Sequence, residues 1–525
     1  MPAAAESKSS PLLLGVDVGT SGAKVMLVEA STGAVIGEAE SEYALSTPRP
    51  LWSEQSPVDW YRGVLSSVRQ VFGDHLDAST RVAALGLTGQ MHGLTLLDES
   101  QRVLRPAILW NDQRTASQCA AITEVVGGRD RLVEHIGNSM LPGFTAPKLL
   151  WVREHEPEIY DRIRHALLPK DYVRLQLTGE FATDVADASG TGLLDVKRRR
   201  WSDEMIAALE VDRAWLAPVH ESIEVVAKVC EEAAGLTGLP ARIPVVAGAG
   251  DQAAQAVGCG IIREGDVSVT LGTSGVVFAA GSSYRADPMG TLHAFCHAAP
   301  EQWHLMGVML SAGGSLTWWR DVLEVDDERD TPGPRVNPYE KLLRAAAEAP
   351  AGSEGLLFLP YLTGERTPHP DPEARGVFCG LTRRHGRAEM TRAVIEGVTF
   401  GLRDSLELIR RTGVNPESVR VSGGGARSEI WRQIMANVFQ CPVDTISVTH
   451  GAAYGAALIA GVGVGIYSDL EEACAKAIRI QDRSEPDPDA ARYEDLYERY
   501  RALYPALASE FDRLGEWVRR YDDGG

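Results

Sequence analysis

Short apolar runs alternate with amphipathic segments along the whole chain. Leu12 to Val18 is an apolar run that ends in Gly19-Thr20-Ser21-Gly22, and a second apolar run, Val25 to Val28, follows it. Two such runs joined by a glycine-rich turn predict a β-hairpin. The pattern recurs at Val267 to Leu271, where Gly272-Thr273-Ser274-Gly275 leads into Val276 to Phe278. The two turns lie nearly half a chain apart, which predicts two halves of related architecture.

The segments around these hairpins mix both periodicities. Strands are predicted at Val82 to Leu87, Pro244 to Ala247 and Ser418 to Val421, and helices at Pro57 to Phe72, Ala146 to Glu154, Asp251 to Gly258 and Glu429 to Phe439. This mixture favours an α/β fold. The uncharged, small-residue stretch Thr445 to Ser468 predicts a tightly packed helix, Glu324 to Pro338 a surface excursion, and the tail from Pro486 a polar helix.

Length and charge narrow the class of protein. At 525 residues, the chain exceeds one ordinary domain of about 150 residues, and we expect two domains, residues 12–255 and 256–515. A net charge of -20 argues against nucleic acid and anionic membrane as partners. Seven scattered cysteines without a CxxC pair, and no signal peptide over residues 1–11, predict a cytoplasmic protein. A homodimer is an alternative to a monomer that the sequence leaves open.

The first motif with chemical meaning is Asp17-Val18-Gly19-Thr20-Ser21-Gly22-Ala23-Lys24. An acidic residue inside an apolar strand is costly to bury unless it is paired or binds a metal. The glycine turn after it exposes backbone N–H groups that can cradle phosphate. A Mg²⁺-nucleotide site is one interpretation, and a tight hairpin with a turn-bonded Asp is the other. The second turn carries Thr270 where the first carries Asp17.

Two further glycine motifs join a strand to a helix. Residues 245–254, VVAGAGDQAA, satisfy the GxGxxA dinucleotide fingerprint. Asp251, however, would place a carboxylate beside a pyrophosphate, so a helix cap and a general base remain alternatives. Residues 422–429, SGGGARSE, would let a backbone approach a flat ligand closely, or form a plain turn.

Polar loops complete the inventory. Gly89-Gln90-Met91-His92-Gly93 follows a predicted strand and could hydrogen-bond a polyol, and Trp110 opens a similar polar loop, although a structural role for His92 is the simpler alternative. His293, Cys296, His297 and His304 suggest zinc only weakly, since the geometry of a fourth ligand is undefined. No Walker A, nucleophile-elbow or HExxH motif occurs.

Together these residues resemble the FGGY family of carbohydrate kinases from about Leu12 to about Tyr504. The resemblance is carried by DVGTSGAK at 17–24, LWSEQSP at 51–57, GQMHG at 89–93, RPAILWNDQRT at 105–115, PGFTAPKLLWV at 142–152, LLPKDYVRLQLTGEFATD at 167–184, GAGDQAA at 248–254, LGTSGV at 271–276, FLPYLTGERTPH at 358–369 and GGGARSE at 423–429. It implies an actin-like fold, in which two ribonuclease-H-like domains flank a central cleft, with a sugar-binding first lobe and a nucleotide-binding second lobe.

The resemblance also implies a reaction, the transfer of the γ-phosphate of ATP, with Mg²⁺, to D-xylulose. It assigns Asp251 as the catalytic base and Asp17 as the residue near Mg²⁺. Sugar contacts are expected from Met91, His92, Trp110, Asp251 and Gln252, the last replacing a frequent Asn. ATP is expected against Gly19, Thr20, Ser21, Lys24, Gly272, Thr273, Gly313, Thr317, Gly424, Gly425 and Glu429. The rivals are a kinase of the same family acting on ribulose, gluconate, glycerol or fuculose, an actin-like ATPase scaffold, and a dinucleotide oxidoreductase.

Overall fold

Two seven-stranded sheets, one in each half of the chain, organise the structure. The computed structural model describes residues 10–323, 337–447 and 451–521. The predictions for the N-terminal segment 1–11 and for the excursion at 324–338 therefore lie almost wholly outside the described residues. No helix within the described ranges is both long enough and apolar enough to span a membrane.

Among its described residues, the first half contributes fifteen strands and ten α-helices. Its strands are β1 Leu12–Val18, β2 Gly22–Glu29, β3 Val35–Glu42, β4 Glu54–Gln55, β5 Val82–Gly89, β6 Thr95–Leu97, β7 Ala107–Ile108, β8 His165–Leu167, β9 Thr183–Asp184, β10 Leu194–Asp195, β11 Arg200–Trp201, β12 Val219–His220, β13 Val225–Lys228, β14 Pro244–Val246 and β15 Ala249–Gly250. Its helices are α1 Pro57–Asp74, α2 Ala116–Val126, α3 Arg129–Ile136, α4 Thr145–His155, α5 Pro157–Tyr160, α6 Pro169–Thr178, α7 Val185–Ala188, α8 Asp203–Ala208, α9 Glu231–Thr237 and α10 Asp251–Gly258.

The second half follows with nine strands and seven helices among its described residues. Its strands are β16 Val267–Leu271, β17 Gly275–Gly281, β18 His293–Cys296, β19 Trp303–Met309, β20 Leu357–Pro360, β21 Gly376–Cys379, β22 Val419–Ser422, β23 Val443–Ile446 and β24 Ile480–Ser484. Its helices are α11 Gly313–Val322, α12 Pro338–Glu348, α13 Arg387–Arg411, α14 Glu429–Phe439, α15 Ala452–Gly463, α16 Leu470–Ala477 and α17 Ala490–Tyr521.

The two sheets share one topology over six strands. The first runs β13-β14-β5-β1-β2-β3, and the second contains β24-β23-β22-β16-β17-β19 in the same order. Directions agree as well: each hairpin is antiparallel, the two central pairings next to it are parallel, and the edge strand is antiparallel. The duplication predicted from the two glycine turns is therefore confirmed, and the fold is the two-domain, actin-like α/β architecture.

Each sheet is covered by helices because its strands are apolar on both faces. In β1, Leu12, Leu14, Val16 and Val18 face one core, in which α1 also buries Trp60, Val64, Val68 and Val71. These α1 residues recur at spacings of three and four, the pattern of one helix face. The opposite face of β1 carries Leu13, Gly15 and Asp17 and meets a second core. Asp17 therefore lies on the face where the two halves meet.

Helices α10 and α15 cross where the halves meet, and they do so at very short range. A Cβ on Gly455 of α15 would lie 1.7 Å from the carbonyl oxygen of Ala254 in α10. Likewise, a Cβ on Gly15 of β1 would lie 1.8 Å from the carbonyl oxygen of Ala453. Only glycine permits this approach of backbones. As a result, α15, although late in the chain, packs directly on the first sheet.

A second contact joins the edge of the second sheet to the helical region of the first half. The side-chain amide of Asn138 donates to the carbonyl oxygen of Ala294 (2.9 Å) and accepts from its N–H (3.0 Å). The N–H of Cys296 donates to the Ser189 hydroxyl at 2.9 Å. Strand β18 therefore forms a wall against the first half, and its Phe295 ring lies 6.1 Å from the ring of His92, which follows β5.

Most sequence-predicted elements are confirmed, several to the residue. Strands Leu12–Val18 and Val267–Leu271 and helices Asp251–Gly258 and Glu429–Phe439 have the predicted bounds. The predicted small-residue helix over 445–468 is too long: strand β23 takes its first residues, and the helix occupies Ala452–Gly463.

Candidate active site

Three neighbouring strands end at the same edge of the first sheet. Strand β5 pairs in parallel with β1 on one side and with β15 on the other, and Gly89 lies opposite both Val18 and Gly250. In parallel sheets, ligands bind beyond the carboxyl ends of the strands. The residues that follow the three strand ends, Thr20, Met91 and Asp251, are therefore brought together.

Asp17 lies at the first of these strand ends, facing the cleft. Its Oδ1 atom is buried and has no hydrogen-bond partner among the described residues. Burial, followed by the negative charge of Asp251, raises the pKa of Asp17 from its usual 3.8 to about 7. A buried acceptor without a donor is unusual in a folded protein. An orphaned carboxylate oxygen with a raised pKa suits a hard cation such as Mg²⁺.

Asp251 opens helix α10 but does not cap it. The N-cap residue is Gly250, and Asp251 is the first helical residue. Its Oδ1 accepts a hydrogen bond from the N–H of Gln252 at 2.7 Å. Burial raises the pKa of Asp251 from 3.8 to about 6, against the opposing effect of the hydrogen bonds from Gln252. A carboxylate with a pKa this close to neutrality is suited to accept a proton.

The first glycine turn has its carbonyl groups occupied, and its Gly19 N–H donates to the Gly22 carbonyl oxygen at 3.0 Å. The Tyr43 hydroxyl donates to the Gly19 carbonyl oxygen (2.5 Å), and the Gln55 amide donates to that of Thr20 (2.7 Å). The N–H groups of Thr20 and Ser21 find no acceptor within the described part of the chain. Consecutive free N–H groups form an anion-binding concavity. Our prediction from sequence did not include Tyr43 and Gln55.

The second turn is built in the same way on β16. The carbonyl oxygen of Thr273 accepts from the N–H groups of Ala312 (2.9 Å) and Gly314 (3.0 Å) at the start of α11. Over the described ranges, neither Thr273 nor Ser274 has an acceptor for its own N–H. Thr270, the counterpart of Asp17, accepts from the Gln255 amide at 2.7 Å. Helix α10 thereby reaches from Asp251 in the first half to the second turn.

A cavity of about 780 Å³ opens beside the second turn. It brings together every sequence-predicted residue of the second half: Gly272, Thr273, Gly313, Thr317, Gly424, Gly425 and Glu429. Residues absent from the prediction also line it, among them Tyr339 and Arg344 on α12. The Tyr339 hydroxyl lies 3.0 Å from that of Thr317. Because α12 follows the poorly patterned excursion, no sequence motif marked these residues.

His92 is held in a strained, neutral state next to these strand ends. Its φ of +69° is rare for a residue other than glycine, and such outliers concentrate at functional sites. Its carbonyl oxygen accepts from the Thr145 hydroxyl (3.1 Å) and the Lys148 ammonium (2.9 Å). Burial lowers the pKa of His92 to about 3. The ring Nδ1 lies 2.6 Å from the Gly190 carbonyl oxygen and so carries the proton, which leaves Nε2 as an acceptor.

Of the remaining predicted residues, Trp110 and Met91 lie in the site, whereas Lys24 is held in an ion pair. Trp110 is brought into the site, because its indole N–H donates to the Thr20 hydroxyl at 2.9 Å. The Met91 side chain packs on Gly250, next to Asp251. Lys24 lies beside Asp17 on β2, but its ammonium pairs with Glu38 at 3.2 Å. Its contact with a phosphate therefore stays a prediction.

The zinc alternative finds no support. His293 and Cys296 lie on strand β18, the His304 ring stacks on Phe278, and the His297 ring meets Phe278 edge-on. Within the described residues, no group of three or more His, Cys, Asp or Glu side chains could hold a metal ion. Burial accounts for the lowered pKa of His297, about 4. These residues form a neutral core behind the β18 wall.

Comparisons with known proteins agree with this geometry. The model of the FGGY family of carbohydrate kinases, N-terminal domain, matches residues 12–258, and that of the C-terminal domain matches residues 267–464. The chain is 43% identical to a xylulose kinase of Escherichia coli (strain K12) over 94% of this chain and 99% of that one. It is 41% identical to a xylulose kinase of Klebsiella pneumoniae over 91% and 95%. The ligand-bound xylulose kinase structure from Lactobacillus acidophilus superposes with a TM-score of 0.89 at 28% identity, covering 96% and 100%.

Proposed function

The chain belongs to the FGGY family of carbohydrate kinases and is an ATP-dependent sugar kinase, and we propose that it phosphorylates D-xylulose at the 5-hydroxyl, giving D-xylulose 5-phosphate and ADP. We further propose that residues 12–255 bind the sugar and residues 256–515 the nucleotide. The observation that carries the proposal is the position of Asp251. This carboxylate lies between the Met91-His92 loop and the glycine turns, with a pKa of about 6.

Asp251 acts as the general base in this proposal. Its carboxylate accepts the proton of the 5-hydroxyl as the oxygen attacks the γ-phosphorus, and the bond to the ADP oxygen breaks. Phosphoryl transfer depends mainly on positioning and on neutralising charge, and a base contributes typically about 10²- to 10⁴-fold. Gln252 keeps the carboxylate in place by donating to Oδ1. Above pH 6 the carboxylate is mainly ionised and able to act.

The sugar lies against Met91, His92 and Trp110. Because the neutral His92 ring donates through Nδ1 to Gly190, its Nε2 can accept a hydrogen bond from a sugar hydroxyl. Met91 contributes an apolar surface, and Trp110 links the sugar side to the first glycine turn through Thr20. The strained backbone of His92 is tethered by Thr145 and Lys148, so the ring is oriented before the sugar arrives.

The nucleotide binds between the two glycine turns. The free N–H groups of residues 20, 21, 273 and 274 serve the phosphate oxygens, as fixed backbone donors do in other phosphate sites. The 780 Å³ cavity along α11, α12 and α14 accommodates the nucleoside. Gly424 and Gly425 line this cavity after β22. A Cβ on Gly424 would meet nothing within 4 Å, so a ligand can approach its backbone, whereas Gly425 packs against Leu271.

Asp17 is the residue that would hold Mg²⁺, directly or through water. Its orphaned Oδ1 and its raised pKa fit a cation that keeps most of its own waters. When bound, Mg²⁺ neutralises charge on the transferring phosphate. The ammonium of Lys24, opposite Asp17 on β2, forms its ion pair with Glu38, although its charge also acts on the pKa of Asp17.

The rival functions differ in their requirements. A scaffold ATPase has no need of the tethered His92, and a dinucleotide oxidoreductase is excluded by membership of a kinase family. The rival substrates of the same family are compared directly in an activity assay. A coupled ADP-release assay should show the highest kcat/KM for D-xylulose among D-ribulose, L-fuculose, glycerol and D-gluconate. Preferred turnover of any other member of this panel would overturn the proposed substrate, and sugar-independent ATP hydrolysis would overturn the kinase chemistry.

A further inference from the structure

One arginine of the second half lies beside the proposed sugar site, and no described residue forms a hydrogen bond or an ion pair with its guanidinium. Arg366 belongs to the loop between β20 and β21, and its backbone is fixed on both sides. The Thr367 N–H donates to the Val308 carbonyl oxygen (3.1 Å), and the Val308 N–H donates to the Thr367 hydroxyl (3.2 Å). The Glu365 carboxylate accepts from the N–H groups of Leu310 (3.0 Å) and Arg366 (2.7 Å).

The loop runs next to the β18 wall. Val308 lies two residues beyond Met306, which pairs with His293, and the Thr367 hydroxyl is 3.4 Å from the Thr291 carbonyl oxygen. The His293 ring stacks on Phe295 with centroids 5.3 Å apart, and Phe295 lies 6.1 Å from the His92 ring. Arg366 therefore comes close to an aromatic surface that continues to His92.

Electrostatics agree with this placement. The charge of Arg366 lowers the pKa of both His92 and His293, in addition to the larger effect of burial. Burial lowers the pKa of Arg366 itself, against the opposing effect of the nearby Glu365 charge. Across the described residues, its guanidinium makes neither a hydrogen bond nor an ion pair. Arg366 is half-buried rather than enclosed, so its guanidinium keeps donors that a ligand can reach.

We propose that Arg366 binds the C1–C2 end of the ketose, donating one hydrogen bond to the carbonyl oxygen and another to O1. The role rests on the proposed xylulose kinase function. Asp251 receives the opposite end of the sugar, the 5-hydroxyl.

The chemistry of the two ends explains the choice of side chains. A ketone oxygen can only accept a hydrogen bond, so it requires a donor, and arginine carries five donors in a planar fork. His92 presents an acceptor at Nε2 and suits a hydroxyl. Arg366 and His92 therefore distinguish the carbonyl end from the hydroxylated middle of the substrate.

The test compares the KM values of two substrates on three proteins. D-xylulose and 1-deoxy-D-xylulose, which lacks O1, are compared on the wild type, on Arg366→Gln and on Arg383→Gln, a matched control at an exposed arginine. We expect Arg366→Gln to raise the KM for D-xylulose by about 10- to 100-fold, since a charged hydrogen bond is lost, while the KM for ATP stays unchanged. Removal of O1 should weaken binding to the wild type and to Arg383→Gln, but much less to Arg366→Gln.

Stability provides the second measurement. A structural arginine should destabilise the protein when removed, whereas Arg366→Gln should melt at or above the wild-type temperature, because the burial that lowers the pKa of Arg366 also opposes its charge in the folded protein. An unchanged KM for D-xylulose, an equal loss on removal of O1 in all three proteins, or a lowered melting temperature overturns the role of Arg366. Absence of D-xylulose turnover by the wild type overturns instead the proposed function on which the role rests.

Discussion

Replacement of Asp251 by Asn separates chemistry from structure at the centre of the site. The amide keeps the shape of the side chain and its acceptor toward the Gln252 N–H, but it has no basic carboxylate. We expect kcat to fall by roughly 10²-fold or more, the usual contribution of a general base. The KM values for D-xylulose and ATP should change little, because the lost interaction belongs to the transition state.

The same change should stabilise the fold, and the sign follows from the pKa. Burial raises the pKa of Asp251 from 3.8 to about 6, so between these pH values the folded protein binds a proton that the unfolded chain has lost. Stability therefore falls as the pH rises through this range, and the loss persists above pH 6. At 1.36 kcal/mol per pH unit, the penalty is at most about 3 kcal/mol. Asn carries no charge, so the Asp251→Asn protein does not have this penalty.

The assay combines kcat with melting curves at pH 5 and pH 8. Asp251→Asn should melt above the wild type at pH 8, and the difference should shrink at pH 5. Asp203→Asn is the matched control, since Asp203 is also the first residue of a helix, α8, but is exposed. Retention of a tenth or more of the wild-type kcat would refute the base, and a lowered melting temperature at pH 8 would refute the electrostatic reasoning.

Three further changes probe the remaining parts of the site. His92→Ala should raise the KM for D-xylulose by about 10- to 100-fold, the loss of a buried hydrogen bond, with little effect on ATP; an ordinary KM would contradict the acceptor role. Asp17→Asn should abolish the tightening of ADP binding by Mg²⁺, and in the wild type this tightening should be stronger at pH 8 than at pH 6, because the pKa of Asp17 is about 7; calorimetry at both pH values decides. Gly455→Ala should destabilise the fold by about 1–3 kcal/mol through the clash with Ala254, whereas Gly235→Ala, inside α9 with nothing within 4 Å of the added Cβ, should leave the stability unchanged or raise it by up to about 1 kcal/mol in the same denaturant titration.

The architecture could be predicted from sequence because its signals are local. Two apolar runs around a glycine turn specify a hairpin, and the repetition of this unit at positions 19 and 272 specified the duplication. Helix bounds at Asp251–Gly258 were predictable since strand, glycine turn and small-residue helix follow one another without interruption. Periodicity also identified the faces that pack.

The parts of the site that escaped prediction depend on contacts between distant residues. Gln55 donates to the turn at Thr20, and Asn138 pairs with a strand that comes 156 residues later. Arg366 lies in a motif noted only for its resemblance, and its relation to His92 arises from the β18 wall. The periodicity of one segment carries no information about such contacts, because their residues are far apart in the sequence and come close only in the folded protein.

The crossing of α15 over the first sheet has a consequence for folding during synthesis on the ribosome. The first half of the chain is complete at Gly258, but one face of its sheet stays bare until Ala452–Gly463 has been made. At about 5–20 residues per second, this interval lasts about 10–40 s. During this interval, the apolar surface that contains Leu13, Met26 and Ala84 is not yet covered by α15. Synthesis of the second half therefore limits maturation of the first, and the nascent chain is most vulnerable to aggregation at that stage.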